Sequence, residues 1–74
     1  MANFSERLKQ LRSERNLSQE KLGALLEVKK YSIYTYEKGR SEPDIKGLII
    51  LADFFEVSID YLVGRTNERR ERIY

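Results

Sequence analysis

Apolar residues recur along this chain at intervals of three and four, the spacing that places side chains on one face of an α-helix. Phe4, Leu8 and Leu11 follow it near the N-terminus, and Leu22 and Leu25 repeat it after a polar break. The pattern predicts helices over residues 4–15, 18–26, 30–38, 45–56 and 59–63. No segment with a β-strand pattern is long enough to count, so we expect an all-α fold.

Residues that favour helix ends stand at the expected boundaries. Ser18, Asp44 and Ser58 precede the second, fourth and fifth helices, and their side chains suit an N-cap. Gly39 and Gly64 follow the third and fifth helices, and glycine most easily takes the left-handed conformation that closes a helix. The predicted boundaries therefore rest on two independent signals, the apolar spacing and the caps.

The length of the chain, 74 residues, leaves room for one domain. We expect that domain to cover residues 1–64. Residues 65–74 form a mostly charged C-terminal tail, which is either disordered or a helical continuation.

The composition excludes several classes of function. The chain has no cysteine and no histidine, so disulfides, thiolate-bound metals and a histidine base are all absent. The scattered acids form no calcium loop and the glycines form no phosphate-binding loop. We therefore expect no enzyme activity, no metal and no cofactor. No apolar run approaches the roughly 20 residues that span a bilayer, so we expect a cytoplasmic protein without a membrane partner.

Charge is distributed unevenly along the chain. Residues 7–46 contain ten Lys/Arg against six Asp/Glu, whereas residues 47–64 contain three acids and no base. This asymmetry favours a polyanionic partner on one face, although an ordinary mixed-charge surface has the same composition.

The segment 17–39 has the form of two short helices joined by a tight turn, which is typical of a DNA-binding helix-turn-helix. If Ile33 and Tyr36 face inward, the 100° step per residue turns the opposite face of the third helix outward. Lysine, threonine and tyrosine there suit base edges, thymine methyls and phosphates. The alternative is partly buried tyrosines beside solvated lysines. The candidate base-contacting residues are Lys30, Tyr31, Tyr34 and Thr35.

Phosphate contacts are expected on both sides of that face. Gln19 lies at the start of the second helix, where free backbone N–H groups also suit a phosphate; a solvent-exposed glutamine is the alternative. Glu37 would repel DNA unless it is paired, and Arg12 is its expected partner, unless the two are unrelated surface charges. The full set of candidate phosphate contacts is Arg12, Gln19, Lys29, Lys38, Arg40 and Ser41.

The segments LSQEKLGALLEV and SIYTYEKGRSEPDIKGLIILADFFEVSIDYLVG resemble the phage-repressor and Cro-type, XRE-like helix-turn-helix regulators. The resemblance covers residues 4–64 and implies a compact five-helix bundle whose third helix enters the major groove. By position, the resemblance implies that the residues named above make the base contacts, the phosphate contacts and the Arg12–Glu37 ion pair. Two residues depart from the family: Glu27 stands at a turn position that is often glycine, and Gly23 stands where alanine is usual.

The resemblance implies a symmetric dimer on a palindromic operator. The fourth helix supports this, because it is apolar on nearly all sides and one small bundle cannot bury all of it; scattered surface apolar residues are the alternative. The candidate dimer interface is Ile50, Phe54, Ile59, Tyr61 and Val63.

The function expected from these features is a sequence-specific, double-stranded DNA-binding transcriptional regulator. We expect a repressor that acts as a homodimer and is associated with the nucleoid when bound. The alternative is a protein-interaction module, such as an antitoxin or adaptor, in which DNA binding is secondary.

Overall fold

A computed structural model describes residues 3–70 and contains five helices. They are α1 (Phe4–Glu14), α2 (Gln19–Leu26), α3 (Lys30–Glu37), α4 (Ile45–Phe55) and α5 (Ile59–Leu62), and the described residues contain no strand. The predicted all-α, five-helix fold is confirmed, and each helix boundary lies within about one residue of its expected place. None of the helices in this part of the chain is long and apolar enough to cross a membrane.

Four of the five helices begin with a side-chain cap. Asn3, Ser18, Asp44 and Ser58 each accept a hydrogen bond from the backbone N–H three residues further on. Each cap satisfies one of the N–H groups that a helix N-terminus leaves unpaired, which typically contributes about 1 kcal/mol. Helix α3 follows Lys29 without a side-chain cap, so its start depends on the turn that precedes it.

All five helices end in the same backbone motif. A residue with positive φ follows each one: Asn16 (52°), Glu27 (57°), Gly39 (73°), Glu56 (57°) and Gly64 (88°). The next N–H then bonds to the carbonyl five positions earlier, at 2.8 to 3.1 Å, which satisfies a carbonyl that the helix leaves free. Three of these positions are not glycine, so they carry backbone strain of about 1 kcal/mol or more each.

The core takes one fully buried side chain from each helix. These residues are Leu8, Leu22, Ile33, Leu51 and Leu62, all less than 2 % exposed. Because every helix contributes to one shared core, the orientation of α3 is fixed by the whole bundle. Ile33 in particular determines which face of α3 points outward.

The described part of the expected tail, residues 65–70, is neither helical nor detached from the domain. Arg7, only 3 % exposed, donates to the carbonyls of Tyr61 at 2.7 Å and Thr66 at 3.0 Å, and to Oδ1 of Asn67 at 2.8 Å. Its guanidinium also lies 3.8 Å from the centroid of the Tyr61 ring. The packed unit therefore continues beyond residue 64; residues 71–74 of the expected tail lie outside the described residues.

Further contacts hold this segment along α1 and α5. Both terminal nitrogens of Arg69 donate to the Glu14 carboxylate, at 2.9 and 2.7 Å. The Arg69 carbonyl accepts the N–H of Ser58 at 2.6 Å, and Arg70 lies 3.5 Å from the Glu56 carboxylate. The Glu14 pKa is lowered, chiefly by the hydrogen bond from Arg69, and the Arg69 pKa is raised by the same bond.

Candidate nucleic-acid interface

The turn between α2 and α3 depends on a left-handed residue at Glu27, with φ 57° and ψ 38°. The N–H of Glu27 bonds to the Ala24 carbonyl at 3.2 Å, and that of Val28 bonds to the Gly23 carbonyl at 2.9 Å. Glu27 thus takes the conformation for which glycine is usual in the family that the sequence resembles. The turn therefore forms with a left-handed backbone, at the cost of strain at a residue that has a side chain.

Gly23 allows the turn to pass very close to α2. A Cβ atom at this position would lie 2.8 Å from the Val28 carbonyl oxygen and 3.3 Å from the Lys29 carbonyl carbon. Both of these are backbone atoms, which cannot rotate away as the end of a long side chain can. The glycine, unusual for the family, therefore matches the close approach of the backbone at this point.

The outer face of α3 presents an aromatic and basic surface. Tyr31 is 68 % exposed, Lys30 is exposed, and Tyr34 is half-buried. The Tyr31 and Tyr34 rings stack with their centroids 6.0 Å apart and 28° between their planes, and the Lys38 Nζ lies 5.7 Å from the Tyr34 centroid. These side chains are the ones that were expected to face outward, while Ile33 is in the core.

Thr35 connects α3 to the loop that follows it. Its hydroxyl donates to the Ser32 carbonyl at 2.8 Å and lies 2.7 Å from the Ser41 hydroxyl. With its one proton given to Ser32, the Thr35 oxygen is the acceptor for Ser41. What Thr35 offers to a ligand is therefore its methyl group and one remaining lone pair. Ser41, expected as a phosphate contact, here positions the loop.

Arg12 and Glu37 meet across the bundle as an ion pair. Nε and Nη2 of Arg12 donate to the Glu37 carboxylate at 2.6 and 3.0 Å, and Nη1 donates to the Leu17 carbonyl at 2.8 Å. The Glu37 side chain is only 4 % exposed. The hydrogen bond that Arg12 donates to Glu37, more than the charge of Glu37, raises the Arg12 pKa. One N–H remains on each terminal nitrogen of Arg12, so the pair neutralises the acid and still offers donors.

Gln19 is a third member of this group. Its Nε2 donates to Oε1 of Glu37 at 3.1 Å, a contact that sequence reasoning missed because it depends on how α2 and α3 pack together. The bond fixes the orientation of the amide and leaves its second N–H free. Gln19 therefore lies at the start of α2, as expected, with its side chain held by Glu37.

Exposed cations surround the Arg12–Glu37 pair and the outer face of α3. Lys29, Lys30, Lys38 and Arg40 are all exposed, and Lys9, which was not among the candidates, is exposed on α1 beside them. Lys9 precedes Arg12 by three residues, and this helical spacing could have identified it. A depression of about 370 Å³ lies between α1, α2 and α3, lined by Lys9, Arg12, Gln19, Tyr34, Glu37 and Lys38.

The candidate dimer residues do not share one exposed surface. Ile59 is 40 % exposed, whereas Ile50, Phe54 and Val63 are half-buried. Tyr61 is 5 % exposed and belongs to the core, so its assignment to a dimer face is corrected. The physical reason is that Arg7 of α1 and Arg69 of the tail both lie over the Tyr61 ring.

The more exposed apolar residues of α4 were not among the predicted dimer-interface residues. Ile45 is 75 % exposed and Ile49 is 44 % exposed. They lie four residues apart and so share a face of the helix.

Comparisons with known proteins agree with this geometry. A family model described as a helix-turn-helix domain matches residues 5–68. The uncharacterized HTH-type transcriptional regulator YqaE of Bacillus subtilis is 39 % identical over 67 residues, which cover 89 % of this chain and 58 % of the relative. The HTH-type transcriptional activator BcrR of Enterococcus faecalis is 40 % identical over 61 residues, which cover 82 % of this chain and 30 % of the relative. The chain thus spans a little over half of the first relative and less than a third of the second.

Two solved structures share the fold. A transcriptional regulator from Listeria innocua has a TM-score of 0.82 and 35 % identity, covering 96 % of this chain and 63 % of that one. The P22 c2 repressor, solved in complex with a synthetic operator, has a TM-score of 0.81 and 26 % identity, covering 89 % of this chain and all of that one. With the family model matching most of its length, this chain belongs to the helix-turn-helix family of transcriptional regulators, of the XRE-like, phage-repressor type.

Proposed function

We propose that this protein binds a specific sequence of double-stranded DNA by placing α3 in the major groove. The observation that carries the proposal is the outer face of α3, where Lys30 is exposed and Tyr31 is 68 % exposed while Ile33 anchors the opposite face in the core. Lysine can donate to guanine O6 and N7, and the tyrosine ring can pack on thymine methyls. Tyr34 and the Thr35 methyl would complete the surface that contacts bases.

The surrounding cations would hold the DNA backbone and fix the register of α3 in the groove. Lys29 lies before α3, and Lys38 and Arg40 follow it, so phosphates on both sides of the groove would meet a positive charge. Arg12 and Gln19 would each offer N–H groups that Glu37 has oriented. Ser41 would contribute by holding the loop after α3 in position through its bond to Thr35.

The protein would act as a homodimer on a palindromic operator, with its two α3 helices about 34 Å apart, one turn of DNA. The P22 c2 repressor, which shares the fold, has been solved with an operator, and a phage transcriptional repressor, RstR of Vibrio cholerae, is 38 % identical over 61 residues. Repression is the simpler mode, because occupancy of an operator alone can block transcription. The protein would act in the cytoplasm, at the nucleoid.

The experiment that tests the proposal is an in vitro selection of DNA sites with the whole chain. We expect one enriched palindrome, with affinity falling steeply as salt rises. Lys30→Ala should change the preferred base at one position, costing about 1–3 kcal/mol on the original site. Arg40→Ala should instead weaken all sites alike. If no sequence is enriched over the starting pool, the proposal is wrong.

A protein-interaction module, such as an antitoxin or adaptor, is the second candidate. The observation that favours it is the exposed apolar face of α4, at Ile45 and Ile49. In that case the double variant Lys30→Ala/Lys38→Ala would lose DNA binding and keep its regulatory effect in cells. Loss of the effect together with DNA binding would exclude this candidate.

A further inference from the structure

Tyr31 and Thr35 lie one helical turn apart on the outer face of α3. Residues at i and i+4 of a helix are neighbours on its surface. Tyr31 is 68 % exposed and Thr35 is half-buried. The Tyr34 ring stacks on the Tyr31 ring, with 6.0 Å between the two centroids, so this part of the face is largely aromatic.

The hydroxyl of Thr35 is already bonded on two sides. Because a carbonyl oxygen cannot donate, the 2.8 Å contact with the Ser32 carbonyl uses the only hydroxyl proton of Thr35. The Ser41 hydroxyl, 2.7 Å from the Thr35 oxygen, therefore acts as the donor in that bond. Thr35 has no proton left to donate to a base, and its oxygen keeps a single free lone pair.

This bonding limits what Thr35 can recognise in the major groove. N7 and O6 of guanine and O4 of thymine are acceptors, so they need a donor that Thr35 lacks. The free lone pair suits only the amino groups of adenine and cytosine, and such a group would be one more partner for an oxygen that already bonds α3 and the loop after it. The methyl group of Thr35 has no such competitor. The bond to Ser32 also fixes its direction, because a β-branched side chain has few χ1 rotamers.

We propose that Thr35 recognises the C5 methyl group of a pyrimidine with its own methyl group, beside the Tyr31 ring. Thymine carries this methyl group in the major groove, and 5-methylcytosine carries it at the same ring position, whereas uracil and cytosine lack it. The protein therefore distinguishes thymine from uracil, and methylated from unmethylated cytosine, at one position of each half-site. Methylation of an operator cytosine at that position would strengthen binding.

This inference rests on the proposed binding of DNA through α3 and names the group that one residue of that face recognises. Removing one methyl group from an apolar contact corresponds to about a fourfold change in affinity. Because this change is small, the test compares two DNA molecules with the same protein variant, so that a general loss of affinity cancels in the ratio.

Replacement of thymine by deoxyuridine tests the contact, because uracil keeps every hydrogen-bonding group of thymine and lacks only the methyl group. The probes are fluorescein-labelled duplexes of the site recovered by in vitro selection, with one thymine replaced at a time. Fluorescence anisotropy with the whole chain should show about fourfold weaker binding at one thymine of each half-site. Deoxyuridine in the flanking DNA is the control and should leave the affinity unchanged.

Two substitutions at Thr35 separate its methyl group from its hydroxyl. Thr35→Ser keeps a hydroxyl that can make both hydrogen bonds and removes the methyl group, so it should bind the thymine and uracil duplexes alike. Thr35→Val removes the hydroxyl and keeps the methyl group, so it should retain the fourfold ratio. A Thr35→Ser variant that still prefers thymine as strongly as the wild type would overturn the inference, as would a Thr35→Val variant with no preference.

Methylated cytosine tests the same contact in a different base pair. Duplexes carry cytosine or 5-methylcytosine, each opposite guanine, in place of the thymine identified with deoxyuridine. The wild type should bind the methylated duplex about fourfold more tightly than the unmethylated one, and Thr35→Ser should bind both alike. Equal binding of the two duplexes by the wild type would overturn the inference.

The outcome for this inference is distinguishable from the outcome for the proposed function. A selected site at which no thymine is sensitive to deoxyuridine, or whose half-sites contain no thymine, would overturn the methyl contact and leave sequence-specific binding standing. A selection that enriches no sequence would overturn both.

Discussion

Arg12 on α1 binds the carboxylate of Glu37 at the end of α3 through two hydrogen bonds of 2.6 and 3.0 Å, and the Glu37 side chain is 4 % exposed. The pair connects the first helix to the DNA-facing one. It also cancels an acid that would otherwise lie among the cations proposed to meet phosphate.

Removing only one member of this pair should destabilise the protein more than removing both. Arg12→Met leaves the buried Glu37 carboxylate with Gln19 as its one remaining donor, and we expect a loss of about 3 kcal/mol. Arg12→Met/Glu37→Leu removes the unpaired charge and should recover much of that loss. Urea denaturation of the single and double variants measures the coupling free energy. Purely additive losses would show that the pair contributes no specific coupling.

Glycine at Glu27 should stabilise the protein. The residue has φ 57°, and releasing the strain of a side chain in the left-handed region should raise the free energy of unfolding by about 1 kcal/mol. Glu20→Gly, the same substitution at a helical position of α2, is the control and should lower it by up to about 1 kcal/mol. Thermal unfolding monitored by circular dichroism distinguishes the two. An equal decrease in the free energy of unfolding at both sites would contradict the claim that the Glu27 backbone is strained.

Helix positions were predictable from sequence because their determinants are local. The apolar spacing and the caps at Ser18, Asp44 and Ser58 act within a few residues, so they are visible in the chain itself. The role of Arg7 was not predictable, because its partners include two backbone carbonyls, a group that every residue has. The error over Tyr61 has the same origin. Its ring is covered by Arg7 and Arg69, and these contacts depend on how α1 and the segment after residue 64 pack against α5.

In the candidate site, too, local features were predictable from the sequence and contacts between helices were not. The outward face of α3 follows from helical geometry once Ile33 is assigned to the core. Gln19 was expected to contact phosphate directly, and the structure shows its amide bonded to Glu37. That bond depends on how α2 and α3 pack together, which periodicity within either helix does not specify.

Arg7 should hold the segment 65–70 against the domain. Arg7→Met removes three hydrogen bonds and leaves the Tyr61 carbonyl with only the Gly64 N–H at 3.1 Å, so we expect a loss of about 2–3 kcal/mol in the free energy of unfolding. The freed segment should become a better trypsin substrate at Arg65 and Arg69. Lys9→Met, an exposed change two residues along α1, is the control. Cleavage equally slow in Arg7→Met and wild type would show that other contacts suffice to hold the segment.

The Glu14–Arg69 pair should make stability depend on pH in the acid range. Arg69 lowers the pKa of Glu14 in the folded state, so the pair contributes stability above the unfolded pKa of around 4. That contribution disappears as the pH falls through the lower, folded value. Glu14→Gln should therefore reduce the difference in stability between neutral and acid pH, measured by urea denaturation at each pH. The pair is exposed, so high salt should weaken the effect, and an identical pH profile in wild type and variant would contradict it.

Lys9 and Lys38 should each contribute one phosphate contact, because both are exposed at the rim of the depression that holds Arg12 and Glu37. If DNA lies across this rim, Lys9→Ala and Lys38→Ala should each reduce the slope of log affinity against log salt by about 1. The loss should be alike for specific and non-specific DNA, because phosphates carry no sequence information. Lys21→Ala, at an exposed position of α2 outside the depression, should leave the slope unchanged. If the slope falls equally for all three variants, the affinity depends on the net charge of the domain. If it falls only for Lys9→Ala and Lys38→Ala, the phosphate contacts lie at this rim.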